Sequence, residues 1–475
     1  MTNDEFRRLG HALVEWVADY RENVESHPVM ARVAPGDIRR QLPSAPPVDG
    51  EPLDAALADL DRVIMPGITH WSHPRFLAYF PSNAGLSSVL ADLVATGLGI
   101  QGMSWQTSPA ATELEEVVMD WLRQMVALPA SFTGVIHDTA STATLVALLC
   151  ARERTTDHGQ TRGGLQAEAA PLAVYASEQS HSSIEKAALL AGFGREHLRA
   201  IETDDAFALR GDALRAAIKR DVAAGIRPCA VVATVGSTAT TAIDPVADIA
   251  EIAAEHGMWL HVDAAMAGSA MILPECRWMW AGIERADSVV FNPHKWLGVA
   301  FDCTAYYVRD REHLVRVMST NPSYLRTAVD AEVSNFRDWH IQLGRRFRSL
   351  KLWFLIREQG VSGLQARLRR DLANAKWLES AIGAEPGWEL CAPVPLQTVC
   401  CRHVPEGLDD AAVDTHNLAW VDRLNASGFA YLTPTVAKGR RIVRVSIGSE
   451  ATERRHVEEV WEAMKREAAN AVESS

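Results

Sequence analysis

The sequence has no excess of positive charge: 47 lysines and arginines stand against 60 aspartates and glutamates, a formal net charge of −13. That balance excludes nucleic acid as a main partner, because polyanion binding rests on a positive electrostatic footprint, and the local run Arg345-Arg346-Phe347-Arg348 does not reverse it. Cysteine is sparse and unpatterned. The seven cysteines (Cys150, Cys229, Cys276, Cys303, Cys391, Cys400 and Cys401) are odd in number and lack CxxC spacing, which argues against a disulfide framework or zinc ribbon and for reduced thiols in a cytoplasm. Long apolar runs are missing as well: the longest aliphatic stretch, around Thr144 to Leu149, falls far short of the ~20 residues that span a bilayer, so no membrane association is expected. The N-terminus has neither a long apolar core nor a small-residue cleavage pattern. Instead Phe6, Leu9, Leu13, Val17 and Tyr20 recur at helical spacing, the mark of an amphipathic helix. There is no internal repeat, no GxSxG elbow and no P-loop, and Gly192-Phe193-Gly194 closes a helix and lacks the third glycine of a dinucleotide fingerprint. His70 and His73 have no further metal partners nearby in sequence, so no metal site is expected.

What is present is a chain of 475 residues, 48% hydrophobic and 23% charged, longer than one hydrophobic core usually serves, which predicts a large domain with at least one smaller one. A proline-rich connector from Pro28 to Pro52 follows the first helix, and a second helical stretch lies near Leu53, Leu57, Leu60 and Ile64. This portion has too few apolar residues for a core of its own. From about residue 70 to 360, β-rich runs alternate with helical ones, predicting an α/β fold with a mostly parallel sheet. The candidate strands are 172–177, 230–236, 259–265, 288–291 and 304–308. Long helices are expected over about 346–383. Beyond them two β-rich runs, a helix from about 410, a hairpin across Lys438-Gly439 and a final helix near 452–470 predict a small C-terminal α/β domain.

Ligands of open α/β sheets bind outside the carboxyl ends of the strands, and four groups of residues fall there. Lys295 follows the apolar run Val289-Val290-Phe291 and precedes another, a setting that desolvates an amine and favours the neutral form needed for Schiff-base chemistry; taken alone, a lysine that snorkels to the surface is the better reading. Asp263 ends the strand WLHVD and is followed by small Ala264 and Ala265. Such a carboxylate can hold a proton on a pyridinium nitrogen, though Asp after a strand is often only a helix cap. Thr139, Ala140 and Ser141 open a helix, where unpaired N–H groups suit a phosphate, and where Ser and Thr also serve as ordinary caps. His181 sits in a strand-to-helix turn and can stack on a ring or contact a carboxylate; a lone histidine in a turn is more often structural.

Six segments in order, HPRFLAYFPS, SWQTSPAATELE, HSSIEKAAL, HVDAAMAGS, NPHKW and LGRRFRSLKLWF, resemble aromatic L-amino-acid decarboxylases, a group of pyridoxal-phosphate-dependent enzymes, and the resemblance covers nearly the whole chain. It implies a fold-type I enzyme with an N-terminal helical segment over 1–75 packing on the partner subunit, a large cofactor-binding domain over 76–360 and a small C-terminal domain over 361–475. It implies a homodimer with active sites at the interface. Carried residue by residue, Lys295 resembles the lysine that bonds pyridoxal 5'-phosphate, Asp263 the pyridinium partner, His181 the histidine stacked on the ring and Ala265 the residue on its other face. Ala140, Ser141 and Asn292, with Thr139 nearby, match phosphate contacts. Thr238 and His294 match further cofactor positions, and Tyr324 the tyrosine of a mobile catalytic loop. The substrate side would comprise Trp71, Tyr79, Phe80, Pro81 and Ser82, with His181 and, from the neighbouring subunit, Gln101 and Met103.

Gln101 and Met103 depart from the apolar residue and phenylalanine usual in the animal enzymes. Asp138 stands where a glycine is common and adds an acidic group close to the phosphate site. The expected reaction is decarboxylation of an aromatic L-amino acid, with DOPA, tyrosine, tryptophan, 5-hydroxytryptophan and phenylalanine as candidates. Three alternatives are an aldehyde synthase on the same fold, against which His181 and Tyr324 together argue, a decarboxylase of acidic or aliphatic amino acids, which the Trp71, Tyr79 and Phe80 cluster disfavours, and a cofactor-binding protein without turnover.

Overall fold

The computed structural model describes residues 1–320 and 332–473. The chain forms two compact units: Ser82–Leu372 with Ala392–Thr398, and Met1–Pro81 with Ala373–Cys391 and Val399–Ser475.

The larger unit is built on a seven-stranded sheet of β1 (Thr133–His137), β2 (Leu172–Ser177), β3 (Leu198–Ile201), β4 (Arg227–Thr234), β5 (Trp259–Asp263), β6 (Ser288–Phe291) and β7 (Thr304–Val308). The spatial order is β1-β7-β6-β5-β4-β2-β3. From β6 to β3 neighbouring strands run parallel, while β7 is antiparallel to both β6 and β1. Every residue of β2, β5, β6 and β7 is buried, which is why these segments read as continuous apolar runs and not as alternating ones. The helix Ala140–Thr155 packs on this sheet through Ala143, Val146, Ala147 and Cys150, all fully buried; its small residues let helix and sheet approach closely.

The strands expected at 172–177, 288–291 and 304–308 stand at those limits, whereas β4 begins earlier, at Arg227, and β5 ends at Asp263. Strands β1 and β3 were not legible: β1 opens on Thr133-Gly134 and β3 is only four residues long, too short for a periodic signal. The expected long helices form the run Ser349–Ala384, broken at Gly360, whose φ of 61° and ψ of 171° no helix accommodates.

In the second unit, β8 (Trp388–Leu390), β9 (Thr398–His403), β10 (Thr433–Ala437) and β11 (Arg440–Ser446) form a sheet in the order β10-β11-β9-β8, accompanied by the helices Asp410–Ala426 and Arg454–Glu473. The N-terminal helix Asn3–Glu22 begins with a reciprocal cap between Thr2 and Glu5. The segment after it, poor in apolar residues, is joined to the C-terminal part of the same unit. Val29 N–H donates to the Gly428 carbonyl (2.8 Å), Leu77 N–H to that of Tyr431 (3.0 Å), and Arg75 pairs with Glu459 (3.0 Å). Among the described residues no helix is long and apolar enough to cross a membrane.

Candidate active site

The sheet order sets the site. Because β6, β5, β4 and β2 are adjacent and parallel, their carboxyl ends deliver Lys295, Asp263, Thr238 and His181 to one edge. Strand β7 runs the other way, so its first residue, Thr304, lies at that same edge, opposite His137 at the end of β1; Asp138 and Thr139 follow immediately.

Lys295 occupies a wide turn, Pro293–Leu297, with φ −92° and ψ −106°, outside helical values. Several groups hold this backbone. Lys295 N–H donates to the Asn292 carbonyl (2.9 Å), and Asn83 Nδ2 donates to the Lys295 carbonyl (3.1 Å). The Arg367 guanidinium donates to the carbonyls of Trp296 (2.9 Å) and Leu297 (2.6 Å), and Trp296 Nε1 donates to Asp371 (2.9 Å). Gly298 ends the turn at φ 97°, a conformation side chains rarely adopt. The lysine keeps some accessible surface, yet the protein around its amine lowers its pKa, and the charge of Asp263 opposes that shift. The result is an amine that gives up its proton more readily than a surface lysine.

Asp263 is buried. Its Oδ1 accepts the Ala265 N–H (3.0 Å), the one hydrogen bond its carboxylate makes among the described residues, which leaves the other oxygen for a ligand. His181 is the N-cap of the helix Ser182–Leu190; its Nδ1 accepts the Ser183 N–H (3.1 Å) and lies 2.8 Å from Ser183 Oγ. Accepting at Nδ1 assigns the proton of the neutral ring to Nε2. Desolvation lowers the His181 pKa, against the pull of Asp263 and with the push of Lys295, so the electrostatics couple the three residues. His294, on the lysine's own turn, accepts the Cys303 N–H at Nδ1 (3.0 Å), and its pKa falls to about 4 through burial first and Lys295 second.

The helix Ala140–Thr155 is left without a side-chain cap although Thr139 stands at its N-cap. Among the described residues the N–H groups of Ala140, Ser141 and Thr142 have no partner, and Ser141 is exposed. An uncapped helix start of this length is an anion site. Thr304 Oγ1 lies 2.9 Å from Asn292 Oδ1 and 3.0 Å from the Asp138 carbonyl, both acceptors, so it turns the Asn292 amide to present Nδ2 as a donor. Gly236, at φ 83°, makes the turn that leads to Thr238, and a Cβ there would meet that of Ala267 at 2.7 Å.

Pyridoxal phosphate fits these residues: an amine of lowered basicity, an unengaged carboxylate oxygen for a ring nitrogen, and free N–H donors for a phosphate. The supports Asn83, Thr304, Arg367 and Asp371 carry no signal in the sequence. Only their partners in space identify them; Thr304, for instance, is just the first residue of a strand. Of the predicted substrate residues, Trp71, Tyr79, Phe80 and Pro81 belong to the other unit. Gln101 and Met103 lie on a loop held by the Gly102 N–H donating to the Arg345 carbonyl (2.9 Å) and the Arg337 N–H to that of Met103 (2.8 Å); Gln101 is exposed and Met103 half-buried. Tyr324 lies outside the described residues. Asp138 is half-buried, with Oδ1 accepting the Thr139 N–H (2.6 Å) and Oδ2 3.4 Å from Gln342 Nε2.

Residues 35–404 match the pyridoxal-dependent decarboxylase conserved domain. The chain is 42% identical to an aromatic-L-amino-acid decarboxylase of Bos taurus, covering 99% of this chain and 97% of that one. It is 40% identical to a phenylacetaldehyde synthase of Arabidopsis thaliana, covering 98% and 96%. The crystal structure of Oryza sativa TDC with PLP and tryptamine superposes with a TM-score of 0.96 at 39% identity over 99% of both chains.

Asp138 places a carboxylate beside the uncapped helix start, where like charge would work against a phosphate dianion. Asp138→Asn keeps the acceptor for Thr139 N–H and removes the charge. Titration of the apoprotein with pyridoxal phosphate, followed by absorbance, is expected to give a Kd about three- to tenfold lower for the variant; an unchanged or higher Kd contradicts this.

Proposed function

The chain belongs to the pyridoxal-dependent decarboxylase family, and from that premise we propose that it removes the α-carboxylate of an aromatic L-amino acid, releasing carbon dioxide and the corresponding amine. The observation that carries this reading is the electrostatic grouping of Lys295, Asp263 and His181 at one sheet edge beside an uncapped helix start. Pyridoxal phosphate, when bound, supplies an electron-withdrawing ring conjugated to the substrate's amino nitrogen. Lys295 gives the neutral amine for covalent attachment and later for release of product. Asp263 would hold a proton on the ring nitrogen, and His181 and Ala265 would line the ring. His181 Nε2–H would donate to the substrate carboxylate. Ala140, Ser141 and Asn292, with Thr139, would hold the phosphate, and Thr238 and His294 would complete the cofactor contacts. Trp71, Tyr79, Phe80, Pro81, Ser82, Gln101 and Met103 take the substrate's side chain.

We assign the working form as a homodimer with residues 1–75 packed on the partner subunit, a large domain over 76–360, a small one over 361–475 and active sites at the interface. Its support is uncovered apolar surface. Leu86, Leu90, Leu93 and Val94 on the helix Leu86–Gly97, with Leu98 just after it, are 43–64% exposed, and, in the other unit, Phe6 on the first helix is 60% exposed. An uncovered apolar helix face of this kind marks a protein interface. A cytoplasmic location is supported by seven free thiols, and cell fractionation checks it. In sedimentation, Leu90→Glu combined with Leu93→Glu is expected to be monomeric; a variant that stays dimeric contradicts this interface.

Similarity to a phenylacetaldehyde synthase gives the aldehyde-forming reaction a place as second reading, and Tyr324 decides between the two. Its phenol is the proposed donor of a proton to the substrate's Cα after carbon dioxide leaves; phenylalanine has the same volume and no proton to give. Incubation of the parent protein with each aromatic amino acid is expected to yield amine and carbon dioxide without peroxide. Tyr324→Phe should lose most amine formation and, in air, consume one dioxygen and one water per substrate to give aldehyde, carbon dioxide, ammonia and hydrogen peroxide. Amine formation at the parental rate in the variant would assign the proton to another group; aldehyde and peroxide from the parent would establish the second reading.

A further inference from the structure

A cavity of about 310 Å³ opens in the larger unit at the sheet edge opposite Lys295. Asp287, in its wall, immediately precedes β6, whereas Lys295 lies on the turn after that strand. Arg154, also in the wall, stands at the far end of the helix Ala140–Thr155, about 20 Å along the axis from the uncapped start. The cavity is therefore separate from the cofactor edge. Its wall carries three guanidiniums, those of Arg154, Arg285 and Arg309, and one carboxylate, that of Asp287, in a chain whose formal net charge is −13. That carboxylate is already engaged on both oxygens. Oδ1 accepts from Arg154 Nη1 (2.7 Å) and Arg309 Nη2 (3.0 Å), and Oδ2 from the Leu260 N–H (2.8 Å) and Arg154 Nη2 (3.3 Å). The Arg154 guanidinium also lies over the Trp259 ring, 4.7 Å from its centre. Arg285 meets Glu251 at 3.5 Å, with the two side chains 40% and 62% exposed, a pair that solvent screens.

We propose that this cavity binds a small carboxylic acid with an apolar body, its carboxylate taken by the guanidiniums and its body laid on the floor. Two guanidiniums sharing one carboxylate oxygen, with a third on the same wall, leave surplus positive charge that repels itself, and an anion between them relieves that repulsion. Planar guanidinium forks suit a carboxylate in particular. The floor decides the rest of the ligand. It is formed by Ala250, Ala253 and Ala254 on the helix Val246–Glu255, with Met258 and Leu260 beyond it, so small side chains make the space and apolar ones line it. A bare phosphate leaves that floor unused, and a second charge on the ligand would rest against alanine methyls without a partner. The volume, near the lower end of the roughly 300–1,000 Å³ of ligand clefts, admits a single ring with a short acid side chain.

Titration of the holoenzyme with phenylacetate, acetate and inorganic phosphate, followed by ligand-observed NMR, tests this without reference to turnover. Phenylacetate is expected to bind saturably with a Kd on the order of 1 mM, about tenfold or more below the values for acetate and phosphate. Arg285→Ala should raise the phenylacetate Kd about two- to fivefold. Ala254→Phe covers the floor and leaves every charge in place, and should raise it about tenfold or more. Neither change touches Asp287, and thermal unfolding checks that each variant is folded. Parent-like phenylacetate binding in either variant, as a ligand seated at the cofactor edge would give, overturns the inference. So does a parent protein without saturable binding, or one that takes acetate or phosphate as tightly as phenylacetate.

Discussion

The desolvation of one lysine amine, opposed by a nearby carboxylate, is the constraint on which the rest of the structure depends. Desolvation alone lowers the pKa of Lys295; Asp263 opposes it. Too little burial leaves an unreactive ammonium. The two groups stand on separate segments, Asp263 at the end of β5 and Lys295 on the turn after β6. Asp263 is anchored through one oxygen to the Ala265 N–H, and Lys295 rides on a turn with some open surface.

That turn would not keep its shape unaided. Its non-helical φ and ψ at Lys295 persist because Arg367 and Asn83 take up its carbonyls and Asp371 takes the Trp296 ring N–H. The proposed phosphate side has the same construction, with Thr304 orienting Asn292 from a strand that runs against its neighbours. The antiparallel β7 is thus more than an edge irregularity: a parallel strand in its place would carry its first residue to the opposite edge of the sheet.

Much of this was legible in the chain. Continuous β-branched and apolar runs marked β2, β6 and β7, because strands buried on both faces leave no alternation to misread, and the proposed site residues His181 and Lys295 follow the ends of β2 and β6. The six ordered segments identified the family and with it the cofactor. What could not be read were pairings between residues apart in sequence: Arg367 with the turn at 296–297, and Thr304 with Asn292. No local signal encodes them; they exist only once the sheet order is fixed. The short strands β1 and β3 escaped for a related reason, since four or five residues gain their structure from neighbours more than from propensity.

The central claim is that Lys295 is the residue that bonds the cofactor. Reduction of the holoenzyme with borohydride, followed by proteolysis and mass spectrometry, tests it directly. The account predicts a stoichiometric pyridoxyl phosphate mass on the peptide containing Asn292-Pro293-His294-Lys295-Trp296. A pyridoxyl label on any other lysine, with the Lys295 peptide unmodified, would contradict it.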